Sequence, residues 1–191
     1  MVRGSFGFAL VSLGGFAVWA FAGRWLTTRI GEGGMYGVSA LVFILFSGFF
    51  LNSLLRGPGR LWRFYKAFVP AFLAYAAVWS AAWFSLGFGR GEWIGSFAGT
   101  TVFVLLVAWS LGSFRGFVLA CLVLFATHSA GYFLGGELYY WTNKPAAAEL
   151  FDRFSKQQIA LAGRMAWGLL YGLGFGAGLG YAFYKFQPRK H

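Results

Sequence analysis

Uncharged, mostly apolar stretches recur along the chain at nearly even spacing. They run Gly4 to Gly23, Gly33 to Leu55, Ala67 to Gly89, Trp93 to Phe114, Gly116 to Gly136 and Met165 to Tyr184, and each holds 20 to 23 residues. A helix rises about 1.5 Å per residue, so roughly 20 residues cross a hydrocarbon core of ~30 Å. A barrel strand would need only about 10 residues of alternating polarity, a pattern these runs lack. A charge at mid-bilayer costs about 2.5–3.5 kcal/mol, which is why the charged residues collect between the runs. The pattern predicts an all-α integral membrane protein with six transmembrane helices, residues 1–191 forming a single transmembrane domain.

A second regularity emerges when the chain is slid along itself. At an offset of 60, residues 3–56 match 63–116 at 15 of 54 positions. Composition alone gives roughly five. The matches include Ala17-Val18-Trp19 with Ala77-Val78-Trp79 and Gly31-Glu32 with Gly91-Glu92. At an offset of 49, residues 66–84 match 115–133 at eight of 19 positions. Each unit holds two spans, so the units enter the membrane in the same sense, as parallel repeats about an axis along the membrane normal. The expected architecture is three helical hairpins with pseudo-threefold symmetry, the units covering about 1–56, 57–115 and 116–191.

The third unit departs from the other two. Its connector, Glu137 to Arg164, has 28 residues, against nine and three in the earlier units. It opens with Leu138-Tyr139-Tyr140-Trp141, suited to an interfacial aromatic belt. Pro145 suits a first helical turn, and Leu150, Phe151, Phe154 and Ile159 share one broad face. This predicts a short amphipathic helix lying on the outer surface, or one running straight into span six. In span six, Gly168, Gly172, Gly176 and Gly180 recur every fourth residue, with Gly174 and Gly178 on a second line. Such a stripe lets another backbone approach closely, within the chain or across a subunit interface.

Composition agrees with a lipid-facing surface. The chain is 59% hydrophobic, 22% aromatic and 11% charged, where a soluble domain carries about 25% charged residues. The net charge of +11 would point to nucleic acid in a soluble protein. Here it reads instead as orientation and contact with anionic lipid. With the amino terminus cytoplasmic, the inner segments carry nine basic residues in 22 positions and the outer segments seven in 40. All five acids fall outside. Both termini are therefore expected in the cytoplasm, and the high Gly and Trp content suits a bacterial inner membrane. The inner connector Arg56, Arg60, Arg63 and Lys66, interleaved with aromatics, suits anionic headgroups rather than nucleic acid. The one cysteine, Cys121, lies within a span and reads as a small packing residue.

Candidate chemistry centres on His128, the one ionisable residue besides Cys121 within a charge-free run. An ionisable group inside a membrane is a functional hypothesis by default. The repeat sets His128 in the place of Trp19 and Trp79, so the three are expected at similar depth, facing a shared pocket. That pocket could hold an apolar or cationic ligand against aromatic faces. His128 could also ligate the metal of a haem or chlorin, or be a neutral histidine bonded to a neighbouring helix. Glu32 and Glu92 occupy equivalent connectors and Glu137 lies four positions from the third, so they could ring a cation-attracting mouth or be plain loop acids. Arg164 could snorkel, or pair with Asp152 or a glutamate.

No HExxH, Gly-x-Ser-x-Gly, Cys-x-x-Cys or paired acids occur within a span, and no cofactor or metal is required by the sequence. The favoured expectation is a non-catalytic subunit of a membrane complex, partnered by lipid and other membrane proteins, that holds a lipid, pigment or apolar ligand. The alternatives are a small-solute transporter or channel with a site near His128, and an enzyme acting on lipid.

Overall fold

The computed structural model describes residues 1–187, so the terminal cations Arg189 and Lys190 counted above, and His191, lie outside the described residues. Within them the chain is helical and contains no strand. Helix α1 spans Val2–Ala17 and passes through a π-helical turn, Val18–Ala22, into α2, Gly23–Leu51, which a 3-10 turn, Asn52–Leu54, closes. Then follow α3 (Arg60–Leu86), α4 (Arg90–Leu111), α5 (Phe117–Thr142), α6 (Pro145–Leu150) and α7 (Lys156–Phe186). Four helical stretches, 2–54, 60–86, 90–111 and 117–142, are long and apolar enough to cross a bilayer, consistent with a helical membrane protein. Helix α7 is 31 residues long and glycine-rich.

The first stretch is two rods rather than one. Gly31 has φ 76° and ψ 171°, and there the helix reverses. Gly7 then faces Leu51, and Gly14 faces Phe46. Gly87, which ends α3, takes nearly the same conformation, φ 73° and ψ −172°. Only glycine enters this region without a clash at Cβ, so it is the residue that can turn a long apolar helix back on itself. The self-alignment pairs Gly31 with Gly91, yet the second hairpin turns at Gly87, one helical turn earlier.

Each long helix packs against the next in sequence, and α7 returns to α1, closing a ring. The contacts around it are uneven: α2 meets α3 lightly, whereas α7 is wedged between α1 and α5. Glycine permits the wedge. A Cβ on Gly172 would lie 2.6 Å from Cα of Ala9, and one on Gly176 would meet the carbonyl oxygen of Gly4. Gly168 faces Phe16 and Gly180 faces Gly4, so the predicted stripe of four lies along α1. The second line, Gly174 and Gly178, meets Thr127 and Leu124 of α5. Ser5 and Ser12 donate to the carbonyls of Leu173 and Gly168, each at 2.7 Å, across the α1–α7 seam. The stripe is thus spent on packing inside the chain.

Phenylalanine fills the interior of the ring. On α3, Phe64, Phe68 and Phe72 stand at successive fourth positions with stacked rings 5.1 and 5.2 Å apart. Phe8 of α1 stacks on Phe175 of α7 at 4.8 Å, and Phe103 of α4 meets Phe175 edge-on at 5.3 Å. Phe8, Phe64, Phe68, Phe103 and Phe175 have no exposed surface. Two pairs related by the 60-residue offset are in ring contact at similar separations, Phe8 with Phe43 at 5.9 Å, tilted, and Phe68 with Phe103 at 6.0 Å, edge-on.

One end of the bundle gathers both described termini and two turns. Gln187 accepts from the Arg56 amide at 3.0 Å and donates to the carbonyl of Leu54 at 2.8 Å. Met1 lies by Gly180, and Gly116 by the Lys185 side chain. Gly31, Gly87 and α6 belong to the opposite end. There α5 continues to Thr142, so Glu137 and the aromatic run 138–141 ride on its last turns and not in a loop. The expected surface helix shrinks to the six residues of α6, with Pro145 in its first turn. Exposed Phe151 and Phe154 follow it in a turn, and Ile159 belongs to α7. A capping box starts α7, with Ser155 Oγ accepting from the Gln158 amide at 3.2 Å and Gln158 Oε1 from the Ser155 amide at 2.8 Å.

Candidate functional site

His128 sits on α5 with no exposed surface. Its Nε2 shares a 2.7 Å hydrogen bond with Tyr75 Oη of α3. Tyr171 of α7 donates to the same Tyr75 oxygen at 3.4 Å, so three helices meet in one polar chain. Tyr75 Oη donates to Nε2 when the ring proton sits on Nδ1 and accepts from Nε2 in the other tautomer. That Nδ1 is buried and has no hydrogen-bond partner among the described residues.

The three repeat-related side chains do not touch one another. Tyr132 joins two of them: its ring lies parallel to His128 at 5.9 Å and 5.6 Å from Trp79. It also meets Trp167 of α7 at 5.6 Å, and Trp167 meets Trp19 at 6.0 Å. His128, Trp79 and Trp19 therefore belong to one aromatic cluster centred on Tyr132 and Trp167. Intervening rings join them, and they do not face one another directly. Trp79 Nε1 and Trp167 Nε1, like His128 Nδ1, are buried with no partner among the described residues, and all three belong to rings in contact with Tyr132. Sequence reasoning missed Tyr132 and Tyr75. The available signal was position, since Tyr132 lies one turn after His128 and Tyr75 one turn before Trp79.

Enclosed by Tyr75, Tyr132, Tyr171 and Phe175, His128 presents no open side to the metal of a haem or chlorin. Among the described residues no group of three His, Cys, Asp or Glu side chains is placed to hold a metal ion.

The three acids occupy unlike places. Glu92 is 7% exposed and fully engaged: Oε1 accepts from Tyr132 Oη at 2.8 Å and Oε2 from the Gly89 amide at 3.1 Å, capping α4. Glu32 and Glu137 are exposed. Glu137 shares a cavity with Glu92, whereas Glu32 lines a separate cleft of about 420 Å³ with Arg24, Arg164 and Tyr36. Arg164 sets its guanidinium 4.8 Å from the centre of the Trp19 ring, a cation–π contact. Trp19 itself lies in the π-helical turn, a local widening that recurs where helices serve function. At the other end Arg56, Arg60, Arg63 and Lys66 are all exposed, as headgroup contacts require.

No family model matches the chain, no curated protein matches it, and no solved structure matches its fold.

Proposed function

We propose that this chain is a six-span, non-catalytic protein of a bacterial inner membrane, acting as a structural or accessory subunit of a membrane complex. The observation that carries this reading is the filled interior. A solute path would need polar, wettable space along the ring axis, and the axis holds Phe8, Phe68, Phe72, Phe103 and Phe175 in mutual ring contact. The polar groups that do lie inside, around His128, are tied to one another and cross-link helices. This supports a rigid scaffold over a transporter, and an enzyme's cleft from His128 to Glu137 has no support in a fully enclosed imidazole.

Three helical hairpins form the repeating unit in this reading, and the equivalent separations of Phe8–Phe43 and Phe68–Phe103 support it for the first two. The termini face the cytoplasm, because the end bearing Gln187 also bears Arg56, Arg60, Arg63, Lys66 and Arg115. These cations draw anionic lipid at about 1 kcal/mol each. The lipid-facing rim is rich in exposed rings such as Phe49, Trp62 and Trp109, 73–77% accessible, available to lipid or to a partner's helices. The choice of a bacterial membrane rests on Gly and Trp content alone.

Purification in a mild detergent, followed by native mass analysis and an absorption spectrum, tests the proposal. A defined complex with further membrane polypeptides is expected, along with no swelling of proteoliposomes in small neutral solutes. A lone chain that conducts such solutes would overturn it.

A further inference from the structure

At the end of the bundle opposite Gln187 lies a half-enclosed cavity of about 200 Å³. Four rings in unbroken contact form its wall: Trp19 meets Tyr139 at 5.5 Å, Tyr139 stacks on Trp167 at 5.6 Å, and Trp167 meets Tyr132 at 5.6 Å. Among the described residues, the charged side chains lining it are two carboxylates, Glu92 and Glu137, with no base. The chain has five acids against sixteen Lys and Arg, so two acids facing one small cavity without a cation is a local reversal of the protein's charge. Glu92 is withdrawn from water, and its two donors, Tyr132 Oη and the Gly89 amide, are neutral. Both of its oxygens are hydrogen-bonded, but among the described residues no salt bridge balances its charge.

The geometry points to an alkylammonium-binding cage formed by Trp19, Tyr132, Tyr139, Trp167, Glu92 and Glu137. Aromatic faces attract a soft cation through the ring quadrupole, and a compact hydrated ion gains less from them. The volume falls below the ~300–1,000 Å³ of drug-sized sites, so it admits one ammonium group and its methyls. Trp19 already serves as a cation surface for Arg164 in the adjoining cleft, so the same chemistry operates next door. The cage takes an ammonium from a lipid headgroup or from a free amine, and it does not depend on the accessory role proposed above.

The test uses the full chain in a neutral maltoside detergent, with saturation-transfer NMR on the methyl signal of choline. Transfer should saturate with choline, and 3,3-dimethylbutan-1-ol, a neutral analogue of the same shape, should bind at least about tenfold more weakly. Glu137→Gln should weaken choline binding by about tenfold, and Glu137→Lys, which supplies its own ammonium, should abolish it. Glu137 is exposed, so both variants keep the fold. Ser53→Ala, in the exposed turn at the far end, should bind as the unaltered chain does. In nanodiscs, loss of the choline signal with phosphatidylcholine but not phosphatidylglycerol identifies a lipid headgroup, and persistence in both identifies a free amine. The cage is overturned if choline gives no saturable transfer, if the neutral analogue binds equally well, or if Glu137→Lys changes nothing.

Discussion

Tyr75 and His128 are joined by a 2.7 Å hydrogen bond although their helices, α3 and α5, are not neighbours in the ring. The bond therefore crosses the interior. It is a polar tie in a zone otherwise packed with phenylalanine, where no water competes for either partner. Tyr171 adds α7 to the same tie.

Removing one partner should cost more than removing both. Tyr75→Phe strands His128 Nε2 in an apolar interior, a loss of about 1–3 kcal/mol. His128→Leu leaves Tyr75 only its longer 3.4 Å contact with Tyr171. The double variant should recover part of the loss, giving a clear coupling in a double-mutant cycle of thermal unfolding in detergent. Additive losses would mean that the two side chains do not act as a pair.

Glycines on α7 should differ sharply from glycines on α2. A Cβ at Gly176 meets the Gly4 carbonyl, whereas one at Gly37 has nothing within 4 Å. Gly176→Ala should destabilise by about 1–3 kcal/mol through overpacking. Gly37→Ala should leave the melting temperature unchanged or slightly higher. Ser12→Ala, which loses a hydrogen bond across the same seam, should cost only about 0.6 kcal/mol. Steric fit, more than polar glue, holds α1 to α7. A Ser12→Ala loss exceeding that of Gly176→Ala would reverse this ranking.

Gly31 should resist substitution for a different reason. Space is free around it, with no atom within 4 Å of where a Cβ would stand, but its φ of 76° excludes other residues. Gly31→Ala should cost about 1–3 kcal/mol as backbone strain. Gly33→Ala, two residues on with equal space and no positive φ, should not. Equal melting curves for the two variants would show that the reversal lies elsewhere.

Much of the helical layout was legible in the sequence, because a charge-free run of bilayer length has few alternatives. The glycine line of α7 was legible as a close-approach surface, and its partner was not: nothing in the sequence of α7 alone selects α1 for one line and α5 for the other. His128 stood out as an ionisable residue in an apolar run. Its partner Tyr75 comes from a helix outside the ring neighbours of α5, and spacing within one helix carries no information about such contacts. Glu92 looked like a loop acid equivalent to Glu32. The earlier turn at Gly87 draws it into the start of α4, where a capping bond and Tyr132 enclose it. The belt 138–141 was misplaced for a similar reason, since aromatic residues at an interface extend a helix as readily as they end one.

The account rests on the rods crossing the membrane six times, with the turns alternating between two faces. Cysteine labelling in a Cys121→Ala background measures this directly, with Ser53→Cys and Phe114→Cys probing one set of turns and Phe88→Cys and Glu149→Cys the other. The account predicts that a membrane-impermeant maleimide added to intact cells labels the Phe88 and Glu149 positions, while the Ser53 and Phe114 positions react only after the membrane is opened. Labelling of Ser53 and Glu149 from the same face would contradict it.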